Sequence, residues 1–369
     1  MIGSKADGEP RQPSTLHRRG REITTRPPNM SYQQPTLGPL DASVPVTGTA
    51  PLLPGACSNM TSDGRSEPSN LPWEQIDKTA LSIRASRRLS AVPRPFLKWA
   101  GSKRTLLPHL LQVLPNEFRT YREPFAGAAA LFFLLRPANA TLSDTCGDVI
   151  NTFTAVRDNV AAVLRYLKPL VPDQTVYYEL RQRRRRGRFA EAARFIYLNK
   201  TCWNGLYRVN SRGEFNVPYG LPKSVNLVDP ANLRACAAAL SSPTIKIALS
   251  DFEDALVDVD AGDLVYLDPP YVTGHNNNGF IEYNRNLFSW ADQVRLAAVA
   301  STLSRRGAYV VISNAAHRDV VDLYKGFSYQ PFMRWSTLAS DPTKRRPVQE
   351  GLLVSSSLEH LLGRSRGRS

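Results

Sequence analysis

The amino-acid sequence predicts an α/β protein whose core is an open, buried β-sheet. Apolar runs rich in strand-forming residues occur at residues 264–267 and 308–312, and both end abruptly at polar or proline-containing turns. A strand, a turn of small residues and an apolar helix follow one another from Tyr121 to Leu135. Ser289 then begins a helix with an apolar stripe that reaches Leu303. In such a sheet we expect ligands to bind where the strands end.

Composition limits the size of the protein and indicates its partner. With 369 residues, 42% of them hydrophobic, the chain can bury a core as one large domain with an insertion or as two smaller domains. The 47 Lys and Arg residues exceed the 32 Asp and Glu residues, which gives a net charge of +15. This excess indicates a polyanionic partner, most simply nucleic acid; a basic disordered tail is the alternative.

Cysteine spacing and hydropathy argue against several classes of protein. The cysteines are widely spaced and form no paired motif, which argues against a disulfide framework and a zinc site: Cys57, Cys146, Cys202 and Cys236. We therefore expect a reducing compartment and no metal. No apolar run reaches the roughly 18 residues of a membrane span, and the N-terminus lacks the apolar segment of a secretory signal.

Residues 1–90 are predicted to be disordered. They are rich in Pro, Ser, Thr and Gly and show no sustained apolar period. Arginine patches such as Arg18-Arg19 are compatible with weak DNA contact or with a targeting segment, and a start codon assigned too far upstream is a further interpretation. Order is expected to begin near Pro95, before a Gly-containing turn that leads into a helix.

The segment after Tyr121 has the features of a cofactor site. Small residues from Pro124 to Ala130 let the backbone come close to a nucleoside-type cofactor at the start of a helix. A second strand, residues 140–143, ends at Asp144, about 20 residues past the turn, where an acidic side chain commonly accepts hydrogen bonds from ribose hydroxyls. Many doubly wound proteins share this pair of features.

The middle of the chain, residues 161–244, changes to a helical pattern with a strongly basic stretch from Arg181 to Arg188. Such a run is often only a solvated helix face. Here it precedes the segment from Asn199 to Gly220, which mixes aromatic, amide and arginine side chains. Arginine and asparagine make bidentate contacts to guanine and adenine edges, and apolar side chains can wedge into a distorted duplex. The segment is therefore a candidate DNA-reading surface.

The tetrapeptide Asp268-Pro269-Pro270-Tyr271 ends the strand at residues 264–267. Its prolines stiffen the turn and leave the Pro269 carbonyl available as an acceptor beside the Asp268 carboxylate. Tyr271 offers an aromatic face for a planar base. Two acceptors and a stacking face fit an exocyclic amino group, and accepting from both N–H groups favours the pyramidal nitrogen whose lone pair can attack. A capped turn without chemistry is the alternative.

The remaining elements complete the sheet and surround the site. Asp251 and Phe252 follow a strand and are placed to hydrogen-bond and pack against an adenine. The polar residues 275–286 are expected to form a mobile loop over the site. Further strands are predicted at residues 245–249, 329–334 and 348–354, the last two forming an antiparallel hairpin whose loop carries Lys344, Arg345 and Arg346 for phosphate contact.

Together these residues resemble the DNA adenine-N6 methyltransferase (Dam) family, in the class whose cofactor motif precedes the recognition region and then the catalytic motif. The resemblance covers residues 94–356 and rests on six blocks: Phe96–Lys103, Pro124–Gly127, Asp144, Asn199–Gly220, Asp268–Tyr271 and Ile312–Asn314. It implies a Rossmann-like methyltransferase sheet with an inserted helical target-recognition domain, S-adenosylmethionine as the methyl donor, and double-stranded DNA from which the target adenine is flipped.

The resemblance also implies a domain plan and a setting. The plan is a disordered extension (1–90), a catalytic domain in two parts (91–160 and 245–357), a recognition domain (161–244) and a basic tail (358–369). We expect a cytoplasmic, nucleoid-associated enzyme encoded by a bacterium or a phage, monomeric in solution. A cognate restriction endonuclease is an open question.

The resemblance assigns site residues through the motifs that the sequence shares with the family. The residues expected to hold the flipped adenine are Asp268, Pro269 and Tyr271. Those expected on the cofactor side are Trp99, Lys103, Phe125, Asp144, Asp251, Phe252 and Asp268. Those expected to contact DNA are Trp203, Asn204, Leu206, Arg208 and Pro218. Arg208 matches a guanine-reading position and Trp203 an aromatic that enters the base stack, which makes GATC the expected target.

A few residues depart from the family pattern, and two other functions stay open. Ser102 and Ala129 replace glycines, whereas Leu221 stands where a basic residue often follows, with Lys223 as a substitute. A catalytically idle DNA-binding module and an RNA adenine methyltransferase are the alternatives. Transfer to cytosine N4 or to a glutamine amide is disfavoured, because relatives with those activities begin the tetrapeptide with Ser or Asn.

Overall fold

The structure, a computed structural model, describes residues 92–99, 106–222, 224–271, 288–335 and 347–362. Several sequence-based predictions lie outside the described residues: those for residues 1–90, Ser102, Lys103, Lys223, the polar loop 275–286 and the basic loop 344–346.

Strands and helices alternate along the described chain, except for successive helices between residues 147 and 240 and a hairpin near its end. The strands are β1 (Tyr121–Glu123), β2 (Ala140–Asp144), β3 (Ile245–Leu249), β4 (Leu264–Leu267), β5 (Tyr309–Ala315), β6 (Phe327–Trp335) and β7 (Pro347–Ser355). The helices are α1 (Leu107–Val113), α2 (Ala130–Leu135), α3 (Gly147–Leu167), α4 (Gln174–Gln182), α5 (Arg188–Thr201), α6 (Pro230–Leu240), α7 (Phe252–Ala255), α8 (Trp290–Arg305), α9 (Arg318–Leu323) and α10 (Glu359–Leu362). Single 3-10 turns lie at Trp203–Gly205 and Ser356–Leu358.

The strands form one sheet in the order β3-β2-β1-β4-β5-β7-β6. Neighbours from β3 to β5 are parallel, whereas β7 is antiparallel to both β5 and β6. β1 and β4 are adjacent although the chain builds β2 and β3 between them. This position is the topological switch point, where an open α/β sheet leaves a crevice at the carboxyl ends of its strands. The Rossmann-like fold and the closing hairpin are confirmed.

Strand β4 is buried on both faces, which explains its uninterrupted apolar sequence. Leu264 and Tyr266 pack into a core cluster shared with α2 to α6, whereas Val265 and Leu267 pack into a second cluster with α8. Alternate residues of a strand point to opposite faces, so helices cover the sheet on both sides. The tetrapeptide Asp268–Tyr271 therefore follows a strand that is covered on both faces.

Two local features differ from or refine the sequence prediction. β5 continues to Ala315, beyond the predicted end at residue 312, because Ser313 and Asn314 pair with Leu352 and Gly351 of the antiparallel strand β7. The basic stretch is not a continuous helix face, since α4 ends at Gln182 and α5 begins at Arg188.

The capping box that begins α8 is confirmed. The Ser289 side chain accepts a hydrogen bond from the Asp292 backbone N–H, and the Asp292 carboxylate accepts one from the Ser289 backbone N–H at 2.8 Å. Reciprocal bonds of this kind satisfy two donors that a helix start leaves unpaired. This end of α8 is thereby fixed next to β4 and the site.

Candidate active site and nucleic-acid interface

The tetrapeptide Asp268–Tyr271 begins at the carboxyl end of β4, at the switch point of the sheet. Asp268 and Tyr271 are half-buried and Pro269 is buried. Ser313, on the neighbouring strand β5, donates a hydrogen bond from Oγ to Asp268 Oδ1 at 2.6 Å. The Tyr266 hydroxyl lies 3.1 Å from the same Ser313 Oγ. Because a serine has one hydroxyl proton, Tyr266 donates to Ser313, and this chain of donors orients the Asp268 carboxylate.

Sequence reasoning placed Ser313 in a family motif without assigning it a role. Its side chain is fully buried, as is that of Tyr266. The only signal in the sequence is that both β4 and β5 end in polar residues. The contact itself depends on β4 and β5 being neighbours in the sheet.

The turn after β1 is tied to the end of β2 by Asp144. The Gly127 N–H donates to Asp144 Oδ2, and the Cys146 N–H donates to Oδ1, both at 2.8 Å. Burial raises the pKa of Asp144, and these backbone donors act in the opposite direction. Each carboxylate oxygen can accept a second hydrogen bond, so the group retains capacity for a ligand hydroxyl.

Trp99 lies directly against the same turn. Gly127 has a φ of +46°, and a Cβ there would lie 2.7 Å from Trp99 Cδ1, so the turn requires glycine. The Trp99 ring also stacks on Tyr207, with centroids 5.6 Å apart and planes at 24°. Ala129 also has a left-handed φ, of +52°, and stays in the turn at a cost of about 1 to 2 kcal/mol.

Glu123 is a candidate site residue that the sequence analysis did not identify. It is the last residue of β1 and only 3% exposed, and within the described residues its Oε2 has no hydrogen-bond partner. Burial raises its pKa well above the ordinary 4.5 and the charges of Asp268 and Asp144 raise it further, whereas the Tyr121 hydroxyl and the Phe132 backbone N–H act in the opposite direction. An acidic residue at the end of a strand, directly before the small-residue turn, is the signal that could have identified it.

Aromatic side chains meet near the carboxyl end of β3. Phe125 and Phe252 stack with centroids 5.6 Å apart, and Phe288 packs edge-on against Phe125 at 5.7 Å. Asp251 precedes Phe252, and its Oδ1 accepts hydrogen bonds from the Glu253 N–H at 3.0 Å and from Arg295 at 2.8 Å. The structure therefore brings the predicted aromatic residues and the carboxylate together.

The predicted DNA-reading residues line one concave pocket of about 300 Å³. Its walls are formed by Trp203, Leu206, Arg208, Val217 and Pro218. Val217 was not among the predicted residues. Asn204, which was, is exposed in the adjoining 3-10 turn with a φ of +53°. Arginine with exposed aromatic and apolar groups is a suitable composition for a base-contacting surface.

Helix α4 holds one wall of this pocket in place. The Tyr177 hydroxyl donates to the Val217 carbonyl at 2.8 Å, and Arg181 Nη1 donates to the same carbonyl at 3.1 Å. Gly220 lies so close to the Cys202 carbonyl that a Cβ would be 2.6 Å from its oxygen. Leu221, the residue found in place of a basic one, is 72% exposed with a φ of +46°.

Arg208 is held in one orientation by Asn216. Its Nε donates to Asn216 Oδ1 at 2.7 Å, and its Nη2 lies 3.4 Å from the Asn216 carbonyl oxygen. The guanidinium is a planar fork with five N–H donors, so fixing one edge leaves the other directed outward. Asn216 is a further residue whose role the sequence did not indicate.

Comparisons with known proteins decide the family. Residues 99–337 match the family of D12 class N6 adenine-specific DNA methyltransferases. The chain belongs to this family. Similar proteins include the type II methyltransferase M1.LlaDCHI of Lactococcus lactis subsp. cremoris, 36% identical over 270 residues that cover 71% of this chain and 95% of that protein.

Two further relatives of the methyltransferase extend the comparison. The type II methyltransferase M.MjaIII of Methanocaldococcus jannaschii is 36% identical over 285 residues, covering 71% of this chain and 98% of its own length. The DNA adenine methylase of Haemophilus influenzae is 31% identical over 272 residues, covering 71% and 93%. The predicted activity, site-specific methylation of adenine N6 in DNA, is confirmed at the level of the family.

Within the described part of the methyltransferase, neither a metal site nor a membrane-spanning helix is found. Its His, Cys, Asp and Glu side chains form no group of three or more that could hold a metal ion. Among its described helices, none is long and apolar enough to cross a membrane.

Proposed function

We propose that this adenine-specific DNA methyltransferase takes its methyl group from S-adenosylmethionine bound at the switch point of the sheet. S-adenosylmethionine supplies a methyl group activated by a positively charged sulfur. The observation that carries the proposal is the carboxylate of Asp268, oriented by Ser313 at 2.6 Å, at the end of the strand next to β1 and its small-residue turn. The crevice that an open sheet leaves there is the expected ligand site.

The charge of the site supports a cationic cofactor. The buried carboxyl of Glu123 has an Oε2 that finds no partner within the described residues, and the charges of Asp144 and Asp268 act on it. Burial disfavours the charged form of this carboxyl, so a ligand ammonium group at Oε2 would stabilise the carboxylate. We infer that Glu123 and Asp268 hold the amino-acid end of the cofactor and that Asp144 accepts from its ribose hydroxyls.

The other end of the cofactor fits the aromatic cluster near β3. The half-buried ring of Phe125, backed by the buried Phe252, offers an apolar face, and Asp251 stands beside them as an acceptor for an exocyclic amino group. Trp99 would cover the methionine part of the cofactor, since it packs against the turn at Gly127. Lys103, outside the described residues, completes the predicted set.

The target adenine would be held by the tetrapeptide. Asp268 and the Pro269 carbonyl would accept from the two N6 hydrogens, and Tyr271 would stack on the ring. Holding both N–H groups favours the nitrogen geometry that attacks the methyl group, so these contacts stabilise the transition state more than the ground state.

We further propose that the pocket around Arg208 reads the DNA sequence and that the target is GATC. Arg208 is exposed and fixed by Asn216, which suits a bidentate contact to a guanine. Trp203, 39% exposed, is available to enter the base stack. Asn204, Leu206 and Pro218 would contact neighbouring bases. The domain plan, the monomeric state and the cytoplasmic setting stay predictions, and the existence of a cognate endonuclease stays an open question.

The test is methyl transfer from labelled S-adenosylmethionine to duplex DNA, with the methylated base located by modification-sensitive sequencing. Substrates would be duplexes with GATC, duplexes with each position changed, and RNA of the same sequence. We expect label at adenine N6 within GATC duplexes. Asp268→Ala is expected to abolish transfer while leaving DNA binding largely intact. Wild-type turnover by that variant would show that Asp268 has no role in the mechanism. Labelling of RNA alone would refute the proposal that duplex DNA is the substrate.

A further inference from the structure

The loop between α4 and α5, residues 183–187, carries arginines that the active site and the reading pocket do not use. We call this segment the arginine loop. Arg183, Arg185 and Arg186 are exposed, and within the described residues their guanidinium groups form no ion pair or side-chain hydrogen bond. Three unpaired positive charges therefore lie within four consecutive positions.

Other arginines of the same segment are neutralised. Arg184 pairs with Asp148 at 3.0 Å and with Glu191 at 3.6 Å, and Arg188, the first residue of α5, pairs with Asp158 at 2.8 Å. The acidic residues around the loop thus neutralise Arg184 and Arg188. The guanidinium groups of Arg183, Arg185 and Arg186 stay exposed to solvent.

Stabilisation of the helix end explains only part of this pattern. A cation near a helix C-terminus interacts favourably with the carbonyl groups there, but the effect falls off within the last turn. Arg183 directly follows α4 and gains from it. Arg185 and Arg186 lie farther along the chain, so their charge needs another explanation.

Side chains in and beside the arginine loop are hydrogen-bonded to the segments that form the Arg208 pocket. Before the loop, Arg181 donates to the carbonyl of Val217, a pocket residue, at 3.1 Å. Within it, Arg184 binds Asp148, whose Oδ2 accepts from the Tyr207 hydroxyl at 3.1 Å. Tyr207 is the chain neighbour of Arg208. Arg181, two residues before the loop, therefore contacts one pocket residue directly, and Arg184 is connected to the chain neighbour of another through Asp148.

Chain length limits how far the unpaired arginines can be from these contacts. A residue spans at most about 3.3 to 3.6 Å, so Arg186 lies within roughly 18 Å of Arg181 along the backbone. Duplex DNA carries one charge per about 1.7 Å of its axis. A duplex seated on the Arg208 pocket would therefore carry several phosphates within this distance of Arg181.

We propose that Arg183, Arg185 and Arg186 form a docking surface for the phosphate backbone of duplex DNA beside the target site. The proposal rests on the proposed function of the Arg208 pocket, because that pocket fixes where the duplex lies. Contacts of this kind position the DNA and add affinity without reading sequence.

The test is the salt dependence of DNA binding. The triple variant R183Q/R185Q/R186Q and the wild-type protein would be titrated with fluorescent duplexes, with and without GATC, from 50 to 300 mM NaCl, without methyl transfer. Each lost phosphate contact reduces the slope of log K against log salt by about 0.9, so we expect the magnitude of the slope to fall by about 2.7 on both duplexes.

A matched control removes three positive charges from the edge of the sheet opposite the carboxyl ends of its parallel strands. Arg305, Arg306 and Lys325 are exposed and precede β5 and β6, at the amino-terminal edge of the parallel strands. Their triple Gln variant is expected to keep the wild-type slope, and thermal melting would check that both variants are folded. An unchanged slope in the loop variant, or an equal fall in the control, would overturn the proposal. Because binding is measured without methylation, loss of GATC preference alone would count against the proposed target and not against the loop.

Discussion

Removing the hydroxyl of Ser313 tests how the active-site carboxylate is oriented. In Ser313→Ala, Asp268 loses a buried donor at 2.6 Å, and Tyr266 loses its acceptor at 3.1 Å. Hydrogen bonds to charged groups contribute about 1.5 to 3 kcal/mol. If that stabilisation serves to hold the carboxylate in its transition-state position, the rate constant of methyl transfer falls by about 10- to 150-fold, since each 1.36 kcal/mol is a factor of ten.

The assay is single-turnover transfer with labelled cofactor and saturating duplex, which separates chemistry from product release. Ser355→Ala is the matched control, because Ser355 is equally buried but its Oγ accepts from the Val310 N–H at 3.0 Å and has no link to Asp268. Both variants are expected to lose stability, whereas only Ser313→Ala loses rate. Ser313→Thr, which keeps a hydroxyl, is expected to recover part of the rate. A Ser313→Ala rate within twofold of wild type, or the same loss in Ser355→Ala, would refute the reasoning.

The remaining predictions concern the cofactor turn, the buried glutamate and the reading arginine. Gly127→Ala places a Cβ 2.7 Å from the Trp99 ring, and such overpacking costs about 1 to 3 kcal/mol beyond the strain of a positive φ, so we expect weaker cofactor binding by calorimetry and a lower melting temperature. Glu123→Gln is expected to raise thermal stability at pH 8 while weakening cofactor binding. The raised pKa of Glu123 means that its contribution to stability is full below about pH 4.5 and is lost as pH rises toward the folded-state pKa, so the gain should shrink toward pH 4.5. Arg208→Ala is expected to relax sequence choice at one base pair by about 1 to 3 kcal/mol, measured as kcat/KM on duplexes with single changes.

Each of these predictions has a control or a contrary outcome. Gly326→Ala also introduces a side chain at a positive φ, of +87°, but meets no atom within 4 Å, so it reports the strain without the contact. Equal effects of the two glycine variants would show that Trp99 is not displaced. A Glu123→Gln gain that did not depend on pH would contradict the buried-charge interpretation. Unchanged selectivity of Arg208→Ala would remove that residue from the reading set.

Sequence determined the elements that depend on neighbouring residues. A strand needs a short apolar run, and a helix start needs a capping pair, so β4 and the start of α8 were predictable from a few positions each. The placement of Asp268 and Asp144 at strand ends followed in the same way. So did the candidate active site, because parallel strands present their carboxyl ends at one edge of the sheet.

Only the tertiary structure decided which distant residues meet. Ser313 reaches Asp268 because β5 lies beside β4, and Trp99 covers Gly127 although the two belong to separate segments. The burial of Glu123, and which arginines of the basic stretch are neutralised, depend in the same way on what packs around them. Hydrophobic periodicity fixes which face of an element is buried, but not which element covers it. Strand order and helix packing supply that information, and with it the partners that orient each functional group.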